Sequence, residues 1–282
     1  MRAPHFFCGG PPKSGTTFIQ RILDLHPEIG CSSEDNLQFL VKNFFQLHQS
    51  YNNNLSVFGE RIGAKNIPLV EGKVFENALF NLISDISLNR NHGKKIGISD
   101  NTFLLNNLIP ILKFYINSKV IIIFRNPIDT ALSAWDHNHR LHKKENISAH
   151  LDIMKIDGKL DIDKYVIKMT ESWNQTIHNI FKQIDTAPDR CLVITYESLS
   201  LNKKDTLIKI LKFLDCKYNE EIILDMINNS SLDRMKVSSP NPEFFSKGRV
   251  SFGKNELKSE TIKSAIKISE NCLNLLNIKF NY

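Results

Sequence analysis

Two strand–turn–helix segments constrain the fold of this chain more than any other feature of its sequence. The first spans residues 6–17 and the second spans residues 120–133. Each begins with an apolar run typical of a strand buried in a parallel sheet, and each ends where a helix starts. The first turn of a helix carries unpaired N–H groups and the positive end of the helix dipole, so it favours an anion. Together the two segments predict a ligand with phosphate groups at both ends.

Strand and helix candidates alternate along the rest of the chain. We expect strands at residues 5–10, 96–99, 120–124 and 192–195, and helices at residues 17–25, 104–115, 165–184, 205–214, 220–227 and 256–276. This alternation predicts an α/β fold in three layers, with a central parallel sheet flanked by helices and right-handed crossovers. Pro110 is expected to kink its helix. No internal repeat or change of composition divides the chain, which predicts a single domain over residues 1–282.

Three stretches lie outside this alternation. Residues 36–95 show helical periodicity interrupted by loops, and we expect the Phe-rich face of residues 39–58 to lie mostly in the core. Residues 136–163 are polar, basic and contain several histidines, which predicts a mobile excursion that could cover an acceptor. A segment rich in Pro, Ser and Gly at residues 237–253 is expected to be a loop.

Composition limits the classes of function. The chain has 41% hydrophobic and 23% charged residues, as ordinary soluble globular proteins do. Its net charge of +6 suits an anionic ligand. We expect no nucleic-acid partner, because no dense stripe of Lys and Arg is interleaved with aromatic residues. No apolar run reaches the length needed to span a membrane.

The cysteines and histidines argue against a disulfide framework and a metal site. The five cysteines are odd in number and include no Cys-x-x-Cys pair, which favours a reducing compartment. The first strand candidate begins near His5 and leaves no room for a targeting segment, so the expected location is the cytoplasm. His137, His139 and His142 lie close together but lack the i,i+4 spacing of a helical metal site, and we expect no bound metal.

The first segment has the length of a phosphate-binding loop, from Gly10 to Gly15, but its lysine is displaced. In nucleotide triphosphatases the Lys follows the second Gly, whereas Lys13 here precedes it. Glycine lets the backbone approach a phosphate, Thr16 and Thr17 add hydroxyl donors, and Lys13 brings a positive charge. The alternative interpretation is a plain turn between a strand and a helix, with a solvated lysine.

The loop sequence at residues 12–17, Pro-Lys-Ser-Gly-Thr-Thr, resembles the phosphate loop of sulfotransferases that use 3′-phosphoadenosine 5′-phosphosulfate (PAPS). In that family, which has a P-loop-like α/β fold, this loop holds the 5′-phosphosulfate of the donor. The family usually has a large residue such as Trp after the threonines, and Phe18 occupies that position here. The resemblance therefore implies donor contacts by Lys13, Ser14, Gly15, Thr16, Thr17 and Phe18.

The second segment carries Arg125 directly after the strand and Ser133 on the helix that follows. An Arg at the carboxyl end of a parallel strand faces the crevice where α/β sheets bind ligands, and its guanidinium can grip a phosphate through two parallel bonds. An ion pair with a carboxylate such as Asp129 is the alternative. Residues 125–133 are similar to the Arg-Asn-Pro-x-Asp-x-x-x-Ser motif of the same family. That similarity implies that Arg125 and Ser133 bind the 3′-phosphate of PAPS.

Three shorter similarities follow in the same order along the chain. Residues 196–199 resemble the family's Tyr-Glu-x-Leu segment, and residues 230–236 resemble its nucleotide-lining Thr-Ser-Phe-x-x-Met-Lys segment. Residues 245–255 are similar to a late loop that covers the 3′-phosphate, although Ser replaces the first Arg of that loop and Gly its Trp. These similarities imply further nucleotide contacts by Tyr196, Ser230, Leu232, Lys247, Gly248 and Arg249.

Sulfuryl transfer to a hydroxyl group also needs a general base. Cytosolic members of the family use a His in a Lys-Thr-His-Leu-Pro segment, and residues 97–103 contain neither that His nor that Lys. Residues 24–35 resemble instead the segment that supplies a Glu base in the branch containing the protein-tyrosine sulfotransferases, which implies Glu34 as the base. A helix cap is the alternative role for Glu34, and Asp100 is the second candidate base. Asn36 replaces an Arg of that branch, which argues against peptidyl tyrosine as the acceptor.

The sequence thus predicts a PAPS-dependent sulfotransferase with Glu34 and Lys13 as its catalytic residues. We expect the acceptor to be a hydroxyl group (or an amine) of a small molecule or glycan, bound by variable insertions at about residues 36–95 and 136–164. No metal is expected, because the chain has no Walker-type Asp and no Mg-binding Ser after a Lys at the usual position behind the second Gly. A P-loop kinase or nucleotide hydrolase is one alternative, and a non-catalytic nucleotide-binding homologue is the other.

Overall fold

A five-stranded parallel sheet forms the centre of the protein. The structure is a computed structural model that describes residues 3–33, 35–64, 67–93, 95–237 and 256–278. Its strands are β1 (Phe6–Gly9), β2 (Ile29–Ser33), β3 (Lys95–Ser99), β4 (Lys119–Phe124), β5 (Lys155–Ile156), β6 (Lys159–Leu160) and β7 (Cys191–Thr195). The sheet has the order β2-β3-β1-β4-β7, and β5 and β6 form a separate antiparallel hairpin.

Helices connect the strands. They are α1 (Thr16–Asp24), α2 (Leu37–Arg61), α3 (Gly72–Arg90), α4 (Asn101–Asn106), α5 (Leu108–Phe114), α6 (Pro127–Glu145), α7 (Ala149–Asp152), α8 (Ile162–Ile184), α9 (Tyr196–Leu201), α10 (Lys203–Phe213), α11 (Glu220–Asn229), α12 (Leu232–Val237) and α13 (Ser259–Leu275). None of the helices in the described ranges combines the length and apolar character needed to cross a membrane.

Apolar side chains alternate between the two faces of the sheet and bury both. Phe7 and Ile122 pack with side chains of α3, α4, α5, α8 and α13 on one face. Phe6 and Ile121 pack with side chains of α1, α9, α10 and α11 on the other face. This arrangement confirms the predicted three-layer α/β/α fold, because a parallel sheet needs helices on both faces to remove its apolar strands from water.

The parallel direction of the strands brings several connections to one edge of the sheet. Residues 10–15 follow β1, Arg125 follows β4, and Tyr196 follows β7. Strands β1 and β4 are adjacent, but the chain continues from β1 to β2 on one side of the sheet and from β4 to β7 on the other. A crevice therefore opens beyond the carboxyl ends of β1 and β4, where open α/β sheets bind ligands. The fold therefore gathers the predicted phosphate-binding residues at this edge.

The four predicted strands agree with the structure within one residue at either end. One further strand and one helix differ from expectation. Strand β2 was not predicted, because its sequence Ile-Gly-Cys-Ser-Ser has a single large apolar residue. The helix expected at residues 104–115 is two helices, α4 and α5, separated at Asn107. Pro110 lies in the first turn of α5, where its missing N–H costs nothing, and its ring prevents a continuous helix through the preceding turn.

The expectation of a mobile excursion at residues 136–163 is wrong. Helix α6 continues to Glu145, and α7 and the β5–β6 hairpin then lead into α8. The fully buried side chain of Met154 anchors this stretch in a cluster formed with α6, α8 and α13. The polar residues that suggested a loop form the exposed end of α6, where the cations of its last turn suit the negative end of the helix dipole.

The Phe-rich face of residues 39–58 is also not mostly core. Helix α2 contacts the main cluster through Leu37 and, less completely, through Phe44. The side chains of Phe39, Phe45 and Phe58 are 60%, 61% and 55% exposed. Helical periodicity predicted the helix correctly, but α2 packs beside α3 and leaves much of its apolar surface uncovered.

The contact between Gly97 and the Phe6 ring gives a test of the sheet core. A Cβ atom at Gly97 would overlap the ring of Phe6, which is fully buried. We expect Gly97→Ala to lower the free energy of unfolding by about 1–3 kcal/mol, because a packed core resists added volume. Urea unfolding measures this change. Gly72→Ala is the matched control, since the nearest atom there is 3.6 Å away; equal stabilities of the two variants would contradict the prediction.

Candidate active site

The loop after β1 begins in close contact with β4. A Cβ atom at Gly10 would overlap the carbonyl oxygen of Ile123, so only glycine allows the loop to leave the sheet there. Further along, Lys13 and Gly15 have φ values of 68° and 92°, in the left-handed region. These two residues turn the backbone into the start of α1, where the N–H of Ile19 donates to the carbonyl oxygen of Gly15.

The start of α1 offers hydrogen-bond donors to an anion. No side chain of the described residues caps this helix, and its first turn contains no acidic residue. Asn101 donates to Thr16 Oγ1 over 3.1 Å, which leaves the threonine hydroxyl proton for another acceptor. The Oγ of Ser14 is fully buried and has no hydrogen-bond partner among the described residues. Since an unpaired buried hydroxyl is costly, these residues fit an oxyanion such as a phosphate or sulfate.

Arg125 lies at the carboxyl end of β4 and is only 7% exposed. Its Nη2 is 3.6 Å from Asp129 Oδ2, so the ion pair considered as an alternative is present. Its guanidinium carbon also lies 4.5 Å from the centroid of the Tyr196 ring, within the range of a cation–π interaction. These two contacts fix the position of a buried cation beside the crevice.

Three further residues hold the turn that follows Arg125. Asn126 caps α6 through its Oδ1, which accepts from the N–H of Asp129 over 2.8 Å. Glu197 Oε1 accepts from both the backbone and the side-chain N–H groups of Asn126 at 3.0 Å, and Trp173 donates to the carbonyl oxygen of Arg125 over 2.9 Å. Burial raises the pKa of Glu197, while these hydrogen bonds from Asn126 oppose the rise. The network therefore orients Arg125 through its backbone.

Tyr196 joins the two predicted phosphate sites. A Cβ atom at Gly15 would overlap the Tyr196 ring, so the ring lies directly against the first loop. The same ring contacts Arg125 and meets the edge of the Phe18 ring with centroids 6.0 Å apart. The first loop and Arg125 therefore lie close together, each in contact with the Tyr196 ring, and their binding of one ligand stays a prediction.

Helix α6 carries Ser133 and His137, one turn apart and both half-buried. Burial and then the charges of Lys13 and Arg140 lower the pKa of His137 to about 4. The influence of Lys13 means that this face of α6 approaches the first loop. The imidazole of His137 is therefore neutral at neutral pH. The described residues contain no group of His, Cys, Asp and Glu that could hold a metal ion.

The two candidate bases differ in what the structure describes. Glu34 lies outside the described residues. Asp100 is buried, and both of its oxygens are used: Oδ1 accepts from the N–H of Phe103 over 2.9 Å, and Oδ2 accepts from the N–H of Leu37 over 2.7 Å. Asp100 thus holds the starts of α4 and α2.

Some predicted nucleotide contacts fall partly or wholly outside the described residues. Ser230 is described and buried, and Lys203 contacts both its hydroxyl and the Phe18 ring. Leu232 begins α12, and only its backbone is described. Lys247, Gly248 and Arg249 lie outside the described residues.

Sequence reasoning did not find the residues that support the site. Asn126 had a local signal, because Asn directly before Pro is typical of a helix start. Asn101, Trp173 and Glu197 act through contacts with residues distant in sequence, so their neighbours along the chain gave no indication of these roles.

Most of the chain matches a known protein family. A family model described as "Sulfotransferase domain" matches residues 3–276. The chain is 24% identical over 224 residues to protein-tyrosine sulfotransferase 1 of Danio rerio, covering 78% of this chain and 55% of that protein. It is 22% identical over 222 residues to protein-tyrosine sulfotransferase A of Caenorhabditis elegans, covering 78% and 52%. The chain thus spans about half the length of these curated relatives.

The fold is also that of a solved sulfotransferase. A mouse sulfotransferase in complex with PAP (3′-phosphoadenosine 5′-phosphate) superimposes on this chain with a TM-score of 0.56 at 16% identity. The match covers 97% of this chain and 86% of that chain. At this identity the match supports the fold alone.

Contact between Gly15 and Tyr196 predicts that an added methyl group will damage the crevice. We expect Gly15→Ala to weaken the binding of PAP at least about tenfold, because the Cβ would push the Tyr196 ring away and strain a left-handed backbone. Isothermal titration calorimetry measures this loss. Gly63→Ala is the matched control, since Gly63 has a φ of 71° but no atom within 4 Å of an added Cβ. Equal PAP affinities of the two variants would contradict the role of the ring contact.

Proposed function

Because the chain belongs to the sulfotransferase family, we propose that it transfers the sulfuryl group of PAPS to an acceptor hydroxyl. The observation that carries this proposal is the contact of one ring, Tyr196, with both Gly15 of the first loop and Arg125. A donor with a 5′-phosphosulfate and a 3′-phosphate needs two anion sites on one crevice, and this contact supports that arrangement.

The donor would be held from both ends. Lys13, Ser14 and the first turn of α1 would bind the 5′-phosphosulfate, and the buried unpaired Oγ of Ser14 supports this assignment. Arg125 and Ser133 would bind the 3′-phosphate, together with the predicted contacts of residues 247–249. Phe18, Tyr196, Ser230 and Leu232 would line the nucleoside between the two ends.

Glu34 is the proposed general base. It would take the proton of the acceptor hydroxyl as the acceptor oxygen bonds to sulfur and the bond from sulfur to the 5′-phosphate oxygen breaks, with PAP leaving. Lys13 would stabilise the negative charge that develops on the bridging oxygen. Asp100 is buried and holds the starts of two helices through its oxygens, and this structural role supports Glu34 over Asp100 as the base.

A phenolic hydroxyl is the proposed acceptor group. A phenol has a pKa of about 10 and gives up its proton to a carboxylate far more readily than an aliphatic alcohol does. The names of the curated relatives, protein-tyrosine sulfotransferases, support the same group. Asn36 stands where the branch with the Glu base has an Arg that helps to shape the acceptor site. The absence of that Arg favours the predicted small-molecule acceptor over a peptide.

Labelled donors test the reaction and the base together. We expect transfer from labelled PAPS and none from labelled ATP, and we expect Glu34→Gln to lower kcat about 100-fold or more while the affinity for PAP stays unchanged. Glu71→Gln, at the exposed start of α3, is the control and should keep full activity. Phosphate release from ATP alone would reject the proposed reaction. Unchanged kcat in the Glu34 variant would reject the base.

Acceptor choice is tested by a screen of PAPS consumption followed by mass spectrometry for an added sulfo group. The screen contains a small phenol, a tyrosine peptide, the same peptide with phenylalanine, an aliphatic alcohol and a glycan. We expect at least about tenfold more product on the small phenol than on the alcohol or the glycan, because the barrier to deprotonation is lower. Product on the glycan alone would contradict a phenolic acceptor, and a preference for the tyrosine peptide would contradict the inference from Asn36.

A further inference from the structure

Lys203, the first residue of α10, lies among the residues predicted to line the nucleoside. Its Nζ is 5.4 Å from the centroid of the Phe18 ring and donates to Ser230 Oγ over 3.2 Å. Phe18 and Ser230 lie far apart in the sequence, and Lys203 contacts both of them. The family resemblance assigns no role to this lysine.

The surroundings of Lys203 leave part of its hydrogen-bonding capacity unused. Ser230 is 1% exposed, and its hydroxyl donates to the carbonyl oxygen of Ile227 over 3.0 Å, so it accepts from Lys203. An ammonium group has three donors, and one of them is used by Ser230. Within the described part of the chain, no carboxylate forms an ion pair with Lys203. The next residue, Lys204, is paired with Glu220 over 2.5 Å.

The position of Lys203 is unfavourable for a cation without a ligand. Burial lowers its pKa, and the start of a helix repels a positive charge. A bound group with a hydrogen-bond acceptor would offset both costs.

A chain of ring contacts links Lys203 to the predicted phosphate sites. Phe18 meets Tyr196, and Tyr196 lies against Gly15 and Arg125. The two phosphate sites therefore already have cations of their own, Lys13 and Arg125. Two aromatic rings, Phe18 and Tyr196, link Lys203 to Arg125, and Lys203 contacts two residues predicted to line the nucleoside, which favours the base over a phosphate as its partner.

We propose that Lys203 binds the donor nucleotide by donating a hydrogen bond to a ring nitrogen of its purine base. This inference rests on the proposed use of PAPS. An ammonium group has no acceptor, so it can pair with a ring nitrogen of adenine but not with the exocyclic amino group. Lys203 is a positioning residue in this account, since it touches the donor away from the reacting atoms.

Calorimetry with two ligands separates contact with the base from contact with a phosphate. The ligands are PAP and ribose 3,5-bisphosphate, which lacks the base. We expect Lys203→Met to weaken PAP binding about tenfold, as loss of a charge-assisted hydrogen bond does, and to change the affinity for ribose 3,5-bisphosphate less than about twofold. Lys203→Arg should recover much of the PAP affinity. Lys204→Met is the matched control and should leave both affinities unchanged.

Kinetics and base analogues complete the test. In Lys203→Met the KM for PAPS should rise about tenfold with kcat unchanged, because the contact does not change during the reaction. One of the 1-, 3- and 7-deaza analogues of PAP should bind the wild-type protein more weakly than PAP does. That analogue and PAP should bind the Lys203→Met variant with equal affinity, because the variant has lost the contact with the ring nitrogen.

Several outcomes would overturn the inference. Unchanged PAP affinity in Lys203→Met would do so, as would an equal loss for both ligands, which would place the lysine on a phosphate. Full affinity of all three deaza analogues for the wild-type protein would also overturn it. Failure of the folded wild-type protein to bind PAP at all would instead reject the proposed function.

Discussion

The contact of the Tyr196 ring with Gly15 and Arg125 is the interaction on which the crevice depends. The ring follows β7, the loop follows β1 and the arginine follows β4, so one side chain contacts residues that follow two other strands of the sheet. A cation–π contact in a buried setting is worth up to about 2 kcal/mol, and the ring adds close packing against a glycine with no Cβ. The spacing of the two anion sites is therefore set before a nucleotide binds.

The buried charges of Arg125 and Asp129 at the end of β4 suit a site whose geometry is set before a ligand binds. Asp129 is fully buried and Arg125 nearly so, and such a pair often contributes little to stability because both charges lose their hydration. The backbone of the same turn is held by Asn126, Glu197 and Trp173. A cation fixed in this way would not have to reorganise when the predicted 3′-phosphate binds, which lowers the free-energy cost of binding. The network is therefore better explained by the predicted anion binding than by stability.

The sequence predicted those parts of the structure whose cause is local. Buried apolar runs gave the strands, and phosphate-loop and Arg motifs gave residues that the structure brings together at Tyr196. Strand β2 was missed because pairing with β3, rather than its own apolarity, makes it a strand. The end of α6 was misjudged because its polar surface resembles a loop. Supports such as Trp173 are defined by distant contacts, and the roles of Glu34 and residues 247–249 stay predictions.

The regions predicted to bind donor and acceptor differ in how strongly packing constrains them. Residues around Arg125 and Gly15 are fixed by buried contacts, where added volume or a lost hydrogen bond is costly. Helix α2, in the region expected to bind acceptors, exposes Phe39, Phe45 and Phe58 and is anchored to the core near its first turns. Substitutions on that surface disturb few core contacts. The acceptor specificity of such a fold can therefore change without disturbing the donor site, which is why motifs indicate the donor and leave the acceptor to chemical argument.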